Sequence, residues 1–223
     1  MLIWANFWYN AGMRGRLISF EGIDGAGKTT QVQLLRDYLQ NRGEQVLLTR
    51  EPGGTYIAEQ IRQILLDPQN KGMDELTQVL LFQAARAQIY REVVLPALER
   101  GTSVIMDRSR DSSVVYQGIA GGMGREMIER LNDVSTRQTI PDITFLLDVP
   151  VKIGKLRREG EEPDLIELQK NSFFQKVRRG YLQLYEEDTT GRIKKIDATK
   201  PIAHIAAQIV KLLEEWDSHA AST

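Results

Sequence analysis

Gly22-Ile23-Asp24-Gly25-Ala26-Gly27-Lys28-Thr29, followed by Thr30, matches the phosphate-binding pattern G-x-x-x-x-G-K-[ST] at every fixed position. Its three glycines permit a tight loop whose backbone N–H groups face phosphate oxygens. Lys28 then reaches the β- and γ-phosphates, and the Thr29 hydroxyl is placed to ligate Mg²⁺. The surroundings agree. Arg16-Leu-Ile-Ser-Phe20 reads as a short buried strand, and from Thr29 onward Val32, Leu34, Leu35, Tyr38 and Leu39 recur at helical spacing. Strand, glycine loop and helix N-terminus follow in the order that lets the helix dipole add to anion binding. The loop by itself predicts a bound nucleoside triphosphate and leaves the reaction open.

Outward from the loop, apolar runs alternate with longer amphipathic segments. Gln45-Val-Leu-Leu-Thr49, Thr102-Ser-Val-Ile-Met106, Ile143-Thr-Phe-Leu-Leu147 and Ile193-Lys-Lys-Ile196 join the first strand. Helices are expected at about 56–66, 74–99, 124–136, 150–159, 164–187 and 201–216. This is an α/β pattern, with crossover helices on both faces of a five-stranded, mostly parallel sheet. The polar stretch Arg157-Arg-Glu-Gly-Glu-Glu-Pro163 reads as an exposed connection of the kind that closes over substrates.

The 223 residues, 42% of them hydrophobic, suffice for one sizeable core, and a single domain is expected over 14–217 with a tail at 218–223. The absence of cysteine excludes disulfides and thiolate metal sites and is compatible with a reducing cytosol. A net charge of −1 gives no sign of nucleic-acid or anionic-membrane binding. Residues 1–13 carry Trp4, Phe7, Trp8 and Tyr9 but are too short to span a bilayer and lack a basic signal-peptide start. They read as a loose extension, with Met13 an alternative start and an interfacial anchor left open.

A second chemical signal is Val104-Ile-Met-Asp107, an apolar strand ending in a carboxylate, with Arg108 next. Ligands of parallel sheets collect at the carboxyl ends of strands, so Asp107 is expected beside the glycine loop and suited to Mg²⁺; a turn or cap aspartate is the plainer alternative. Thr49-Arg-Glu-Pro-Gly-Gly-Thr55 opens onto the same edge, where Arg50 is placed for an anion. Phe82 and Arg86 stand four residues apart and share a helical face, so one can stack on a base while the other bonds it; Phe82 alone reads as a core residue. Asp111-Ser-Ser-Val-Val-Tyr-Gln117 adds hydroxyls, a phenol and an amide soon after Asp107.

In this order, Gly-Ile-Asp-Gly-Ala-Gly-Lys-Thr-Thr, Thr-Arg-Glu-Pro-Gly-Gly-Thr, Phe-x-x-x-Arg, Asp-Arg and Ser-Ser-x-x-Tyr-Gln resemble the bacterial thymidylate kinase family over roughly 16–215. Thr-Arg-Glu-Pro-Gly-Gly-Thr is the most specific part, since the glycine loop is shared with many nucleotide hydrolases. The resemblance implies a three-layer P-loop fold like that of nucleoside-monophosphate kinases and a lid at about 155–165. It also implies transfer of the ATP γ-phosphoryl group to dTMP with Mg²⁺, in dTTP biosynthesis, by a cytosolic homodimer; no nucleic-acid or membrane partner is expected, in keeping with the balanced charge.

Carried over by position, the resemblance gives the glycine loop, 22–30, to ATP, and Thr29 and Asp107 to the metal. Arg50 and Arg108 go to the monophosphate, Phe82 to stacking on thymine, and Arg86 to the base carbonyl. Glu51 joins the acceptor side, Ser113 and Gln117 line the base, Tyr116 sits near the sugar, and Asp24 approaches the 3′-hydroxyl. On physical grounds too, a carboxylate inside a phosphate loop points outward, although Asp24 also suits a plain turn. The attacking phosphate oxygen is already ionised, so no general base is required, in keeping with two histidines, His204 and His219, near the C-terminus.

With Asp24 and Ala26 the loop is not basic, which resembles the subtype that draws its catalytic arginine from the lid, here Arg157 or Arg158. The lid also departs from the family: Asp164-Leu-Ile-Glu167 has Leu165 where an arginine is expected, so its duty falls to Arg157, Arg158 or Lys155. A nucleoside kinase is the alternative reading; its hydroxyl acceptor needs a carboxylate base, Asp24 or Glu51. A GTP switch lacks its Asn-Lys-x-Asp, since Asn70-Lys-Gly-Met-Asp74 has the wrong spacing.

Overall fold

The computed structural model describes residues 14–160 and 162–220, so the expected extension at 1–13 and the end of the tail at 221–223 lie outside the described residues. Leu-Ile-Ser-Phe-Glu forms β1 (Leu17–Glu21), buried at every position because a central parallel strand is covered on both faces. Its alternate side chains enter different cores. Ile18 and Phe20 pack in a large cluster with Leu35, Ile105 and Phe145, and Leu17 packs in a smaller one with Ile89, Tyr90, Val104 and Met106.

The other strands are β2 (Val46–Arg50), β3 (Ser103–Asp107), β4 (Ile143–Asp148) and β5 (Ile193–Asp197). They lie in the order β2-β3-β1-β4-β5, and every neighbouring pair is parallel. Phe20 on β1 and Arg50 on β2 are both in register with Asp107 on β3, so the glycine loop, the Thr49–Thr55 motif and the terminal aspartate leave one edge together.

Helix α1 (Lys28–Asn41) starts directly after Gly27, whose φ of 90° lies in the left-handed region that glycine enters without steric cost. Thr55 caps α2 (Tyr56–Leu66), its hydroxyl accepting from the Ala58 N–H at 3.3 Å. The helix expected over 74–99 is continuous but not uniform: α3 (Glu75–Ile89) passes through a π-turn at Tyr90–Val94 into α4 (Leu95–Glu99). Pro96, in the first turn of α4, has no N–H to donate and crowds the carbonyl four residues back, which a widened turn accommodates.

After β3, α5 (Arg110–Ser113) widens into a π-helix at Val114–Ala120, and α6 (Arg125–Ser135) follows. Beyond β4 come α7 (Val151–Arg157) and α8 (Asn171–Glu187), and α9 (Ile202–Ala220) runs past residue 217. The helix expected from 164 therefore begins seven residues late. Asp164 and Glu167 bond each other's backbone N–H groups, at 3.2 and 3.0 Å, and the Leu165 N–H donates to Leu66 O at 3.0 Å, so these amides serve a turn instead of a helical ladder. No helix among the described residues is long and apolar enough to cross a membrane.

Candidate active site

The loop between β1 and α1 meets α7 backbone to backbone. A Cβ on Gly25 would sit 2.1 Å from Gly154 O, and one on Gly154 would sit 2.6 Å from Asp24 O, so neither position admits a side chain. This contact seats the helix that leads into the lid directly on the phosphate loop. Lys28 is buried, and its ammonium donates to Gly22 O at 3.1 Å and Ile23 O at 3.0 Å. Burial, followed by the neighbouring Arg108 charge, lowers its pKa to about 8. The Thr29 hydroxyl donates to Asp107 Oδ2 at 2.6 Å, so the structure brings together the two residues expected at the metal. A hydroxyl and a carboxylate oxygen are hard donors of the kind that would hold Mg²⁺ here.

Beside the loop lies a cavity of about 240 Å³ whose wall gathers the expected residues Asp24, Glu51, Phe82, Arg86, Arg108, Ser113, Tyr116 and Gln117. Phe82 is half-buried in this wall and belongs to neither core cluster, so its position is not that of a core residue. Arg86 is 1% exposed and pinned on three sides: it donates to Glu51 Oε2 at 2.7 Å, to Asn132 Oδ1 at 2.6 Å and to Ser109 O at 3.2 Å. Burial raises the Glu51 pKa, with Arg86 opposing the rise. Glu51 Oε1, also buried, has no hydrogen-bond partner among the described residues and leaves an acceptor in the wall.

Arg50 lies outside this wall. It is half-exposed and bonds Glu59 Oε2 at 2.8 Å, because as the last residue of an edge strand it points away from the cavity toward α2. The guanidinium that α2 sends into the wall is Arg62, held at 2.8 Å on Pro52 O next to the cis Glu51-Pro52 bond. The sequence reading missed Arg62, although a signal existed. It falls four residues after Ala58 and three before Leu65, the buried positions of α2, so it is a charge on a helix's apolar face.

Arg108 joins the two halves. Its φ is 69°, in the left-handed region, and its N–H is held by Phe20 O at 2.9 Å. The guanidinium donates to Asp24 Oδ1 at 2.5 Å, Gly22 O at 3.0 Å and the Tyr116 hydroxyl at 3.3 Å, and lies 5.1 Å from the Tyr116 ring centroid. Burial alone would raise the Asp24 pKa; Arg108 and Lys28 outweigh it and hold the carboxyl well below its usual range. Asp24 is thus an ionised partner of Arg108 and not a plain turn residue. Tyr116 is fixed edge-on by Phe173 and Tyr181, at 6.2 and 6.3 Å between centroids.

The two lid arginines diverge. Arg157 reaches back to Gly25 O at 3.3 Å and Ala198 O at 2.9 Å, on the outer side of the phosphate loop. Arg158 lines the 240 Å³ cavity and pairs with Glu167. It also lines a second cavity of about 200 Å³ over Asp24 and Gly154, which Lys155 enters beside Phe174. Leu165 is 9% exposed, docked on the end of α2 through Leu66 O. His204 is exposed and far in sequence from these groups.

The profile of the family described as Thymidylate kinase matches residues 20–209. A thymidylate kinase of Symbiobacterium thermophilum is 47% identical over 198 residues, covering 89% of this chain and 92% of that protein. One of Caldanaerobacter subterraneus subsp. tengcongensis is 44% identical, covering 92% and 97%. The crystal structure of thymidylate kinase from Ehrlichia chaffeensis superposes with a TM-score of 0.74 at 32% identity, covering 90% of this chain and 99% of the other.

Proposed function

The chain belongs to the thymidylate kinase family, and from that premise we infer how its own residues carry out the family's reaction. That reaction is transfer of the ATP γ-phosphoryl group to dTMP, giving dTDP. The observation that carries the reading is Arg108, which contacts both the phosphate loop and the wall of the adjoining cavity. A nucleotide whose base stacks on Phe82 and accepts a hydrogen bond from Arg86 would turn its monophosphate toward Arg108 and Arg62. Its attacking oxygen then faces the terminal phosphate of a donor cradled by 22–30. No proton need be removed, so catalysis consists of alignment and neutralisation of spreading charge.

Each side chain has a task in that scheme. Lys28 stays near the γ-phosphoryl group as charge moves through it. Arg158, at the boundary of the two cavities, reaches the transferring group from the lid, while Arg157 stays with the donor. Thr29 and Asp107 hold Mg²⁺, which when bound supplies further neutralisation of the donor phosphates. Asp24 orients Arg108 and faces the acceptor sugar. Ser113, Gln117 and Tyr116 complete the base and sugar side. The nucleoside-kinase alternative loses its first candidate base, because Arg108 holds the Asp24 carboxyl well below its usual range; Glu51, with one oxygen open in the cavity wall, is tested by the thymidine arm of the panel below.

An acceptor panel tests the reading. With ATP and Mg²⁺, dTMP is expected to be phosphorylated far faster than AMP, CMP, GMP or thymidine, and chelation of the metal is expected to stop turnover. Equal rates across the panel, or preference for thymidine, would refute the acceptor assignment. We assign a homodimer as well, in the cytosolic setting the family implies. Supporting it, the adjoining helices α3 and α6 carry exposed Leu76, Leu80, Met127 and Val134. Sedimentation at the mass of a single chain would overturn the dimer.

A further inference from the structure

Glu21 ends β1 directly before the glycine loop, is 1% exposed, and plays no part in the transfer described above. Its carboxylate accepts four hydrogen bonds. Oε1 takes the backbone N–H of Ser109 at 2.8 Å and of Ser112 at 3.3 Å; Oε2 takes the Ser112 hydroxyl at 2.6 Å and the Tyr181 hydroxyl at 2.8 Å.

These donors surround Arg108. The chain leaves β3 through a left-handed residue there, a conformation that a residue with a side chain keeps only when its surroundings impose it. Ser109 opens the following helix without capping it, since its hydroxyl is shared with that of Tyr90 at 3.1 Å. Glu21 provides the missing acceptor from the neighbouring strand. On the far side of the same residue, Ser109 O accepts from Arg86 at 3.2 Å. The Ser109 backbone is therefore gripped between Glu21 and the base-side arginine.

We propose that Glu21 is a positioning residue of the acceptor site: by holding the Ser109 and Ser112 amides it fixes the left-handed Arg108 backbone and aims that guanidinium at the acceptor phosphate. The inference rests on the assignment of Arg108 to that phosphate. What the position requires is reach, two acceptor oxygens at the end of a three-carbon arm. Burial, and then the nearby Asp111 charge, push the Glu21 pKa up to about 7, with the Ser112 and Tyr181 hydroxyls and Arg108 opposing the rise.

Two variants separate reach from charge. Glu21→Gln keeps an acceptor for both amides, and its NH₂ can donate to either hydroxyl; Glu21→Asp keeps the charge but withdraws the oxygens by one methylene. Glu21→Asp is expected to raise the dTMP KM about 10-fold, the scale of losing a charge-assisted hydrogen bond, with the ATP KM unchanged. Glu21→Gln is expected to stay within about threefold of the parent enzyme on both substrates. The opposite order, an unchanged dTMP KM in Glu21→Asp, or equal rises in both KM values would overturn the proposal. Arg108→Ala, assayed alongside, isolates the premise. An unchanged dTMP KM in that variant refutes the Arg108 assignment itself, whereas a raised one beside a normal Glu21→Asp refutes only the role of Glu21.

Discussion

Lys28→Ala is expected to lower kcat about a thousandfold while the circular dichroism spectrum and the dTMP KM stay as in the parent enzyme, because the lost charge matters most when the γ-phosphoryl group is in flight. The ammonium is held on two loop carbonyls and belongs to neither hydrophobic cluster, so its removal does not empty the core. A pH profile gives the same residue a second signature. Its pKa is lowered from 10.5 to about 8, so the charged form is complete below that value and is lost as pH rises through it. In the free enzyme kcat/KM for ATP should therefore fall above about pH 8, while kcat, measured with phosphate oxygens beside the amine, should hold to higher pH. Near-normal turnover of Lys28→Ala would remove the residue from the chemistry.

Arg158→Ala is expected to cost roughly a thousandfold in kcat, the lower range for an arginine that stabilises phosphoryl transfer, with little change in the dTMP KM. The comparison variant is Arg157→Ala. Its side chain contacts Gly25 O and Ala198 O, so the expected loss is in ATP affinity, with kcat retained to within about threefold. If the two variants exchanged signatures, the catalytic arginine would be Arg157, and the Arg158–Glu167 pair would be a structural clasp of the lid.

The sheet was legible because its signals are local: each strand is a short apolar run ending in a turn or a charge, and the observed strands begin within one residue of the expected positions. Asp107 was legible for the same reason, and so was its closeness to Thr29, since strand, loop and helix N-terminus share one edge. That Arg50 stands outside the cavity wall was not legible, because a motif gives order along the chain but not the direction in which an edge-strand side chain points; Glu59, on the next helix, pairs with it. The start of α8 was missed because helical periodicity continues through 164–170, whereas the Asp164–Glu167 backbone bonds and the Leu165 N–H contact with Leu66 depend on groups that periodicity does not register. Glu21 carried the same sign as Asp107, a carboxylate ending an apolar strand, but its four donors come from residues 109, 112 and 181 and meet only in three dimensions.

The strand order has a further consequence, for the time at which the site is made. β1 lies between β3 and β4, with Ile18 in register with Ile105 on one side and Ile143 on the other. Synthesis proceeds from the N-terminus, so the glycine loop leaves the ribosome ahead of both strands that flank β1, the first of which ends at Asp107 and the second at Asp148. Pairings this distant carry a high loop-closure entropy and form slowly. The nascent chain thus carries the apolar Leu17–Phe20 segment without a β-partner until β3 has been made, and the phosphate loop takes its working shape only when segments far downstream arrive.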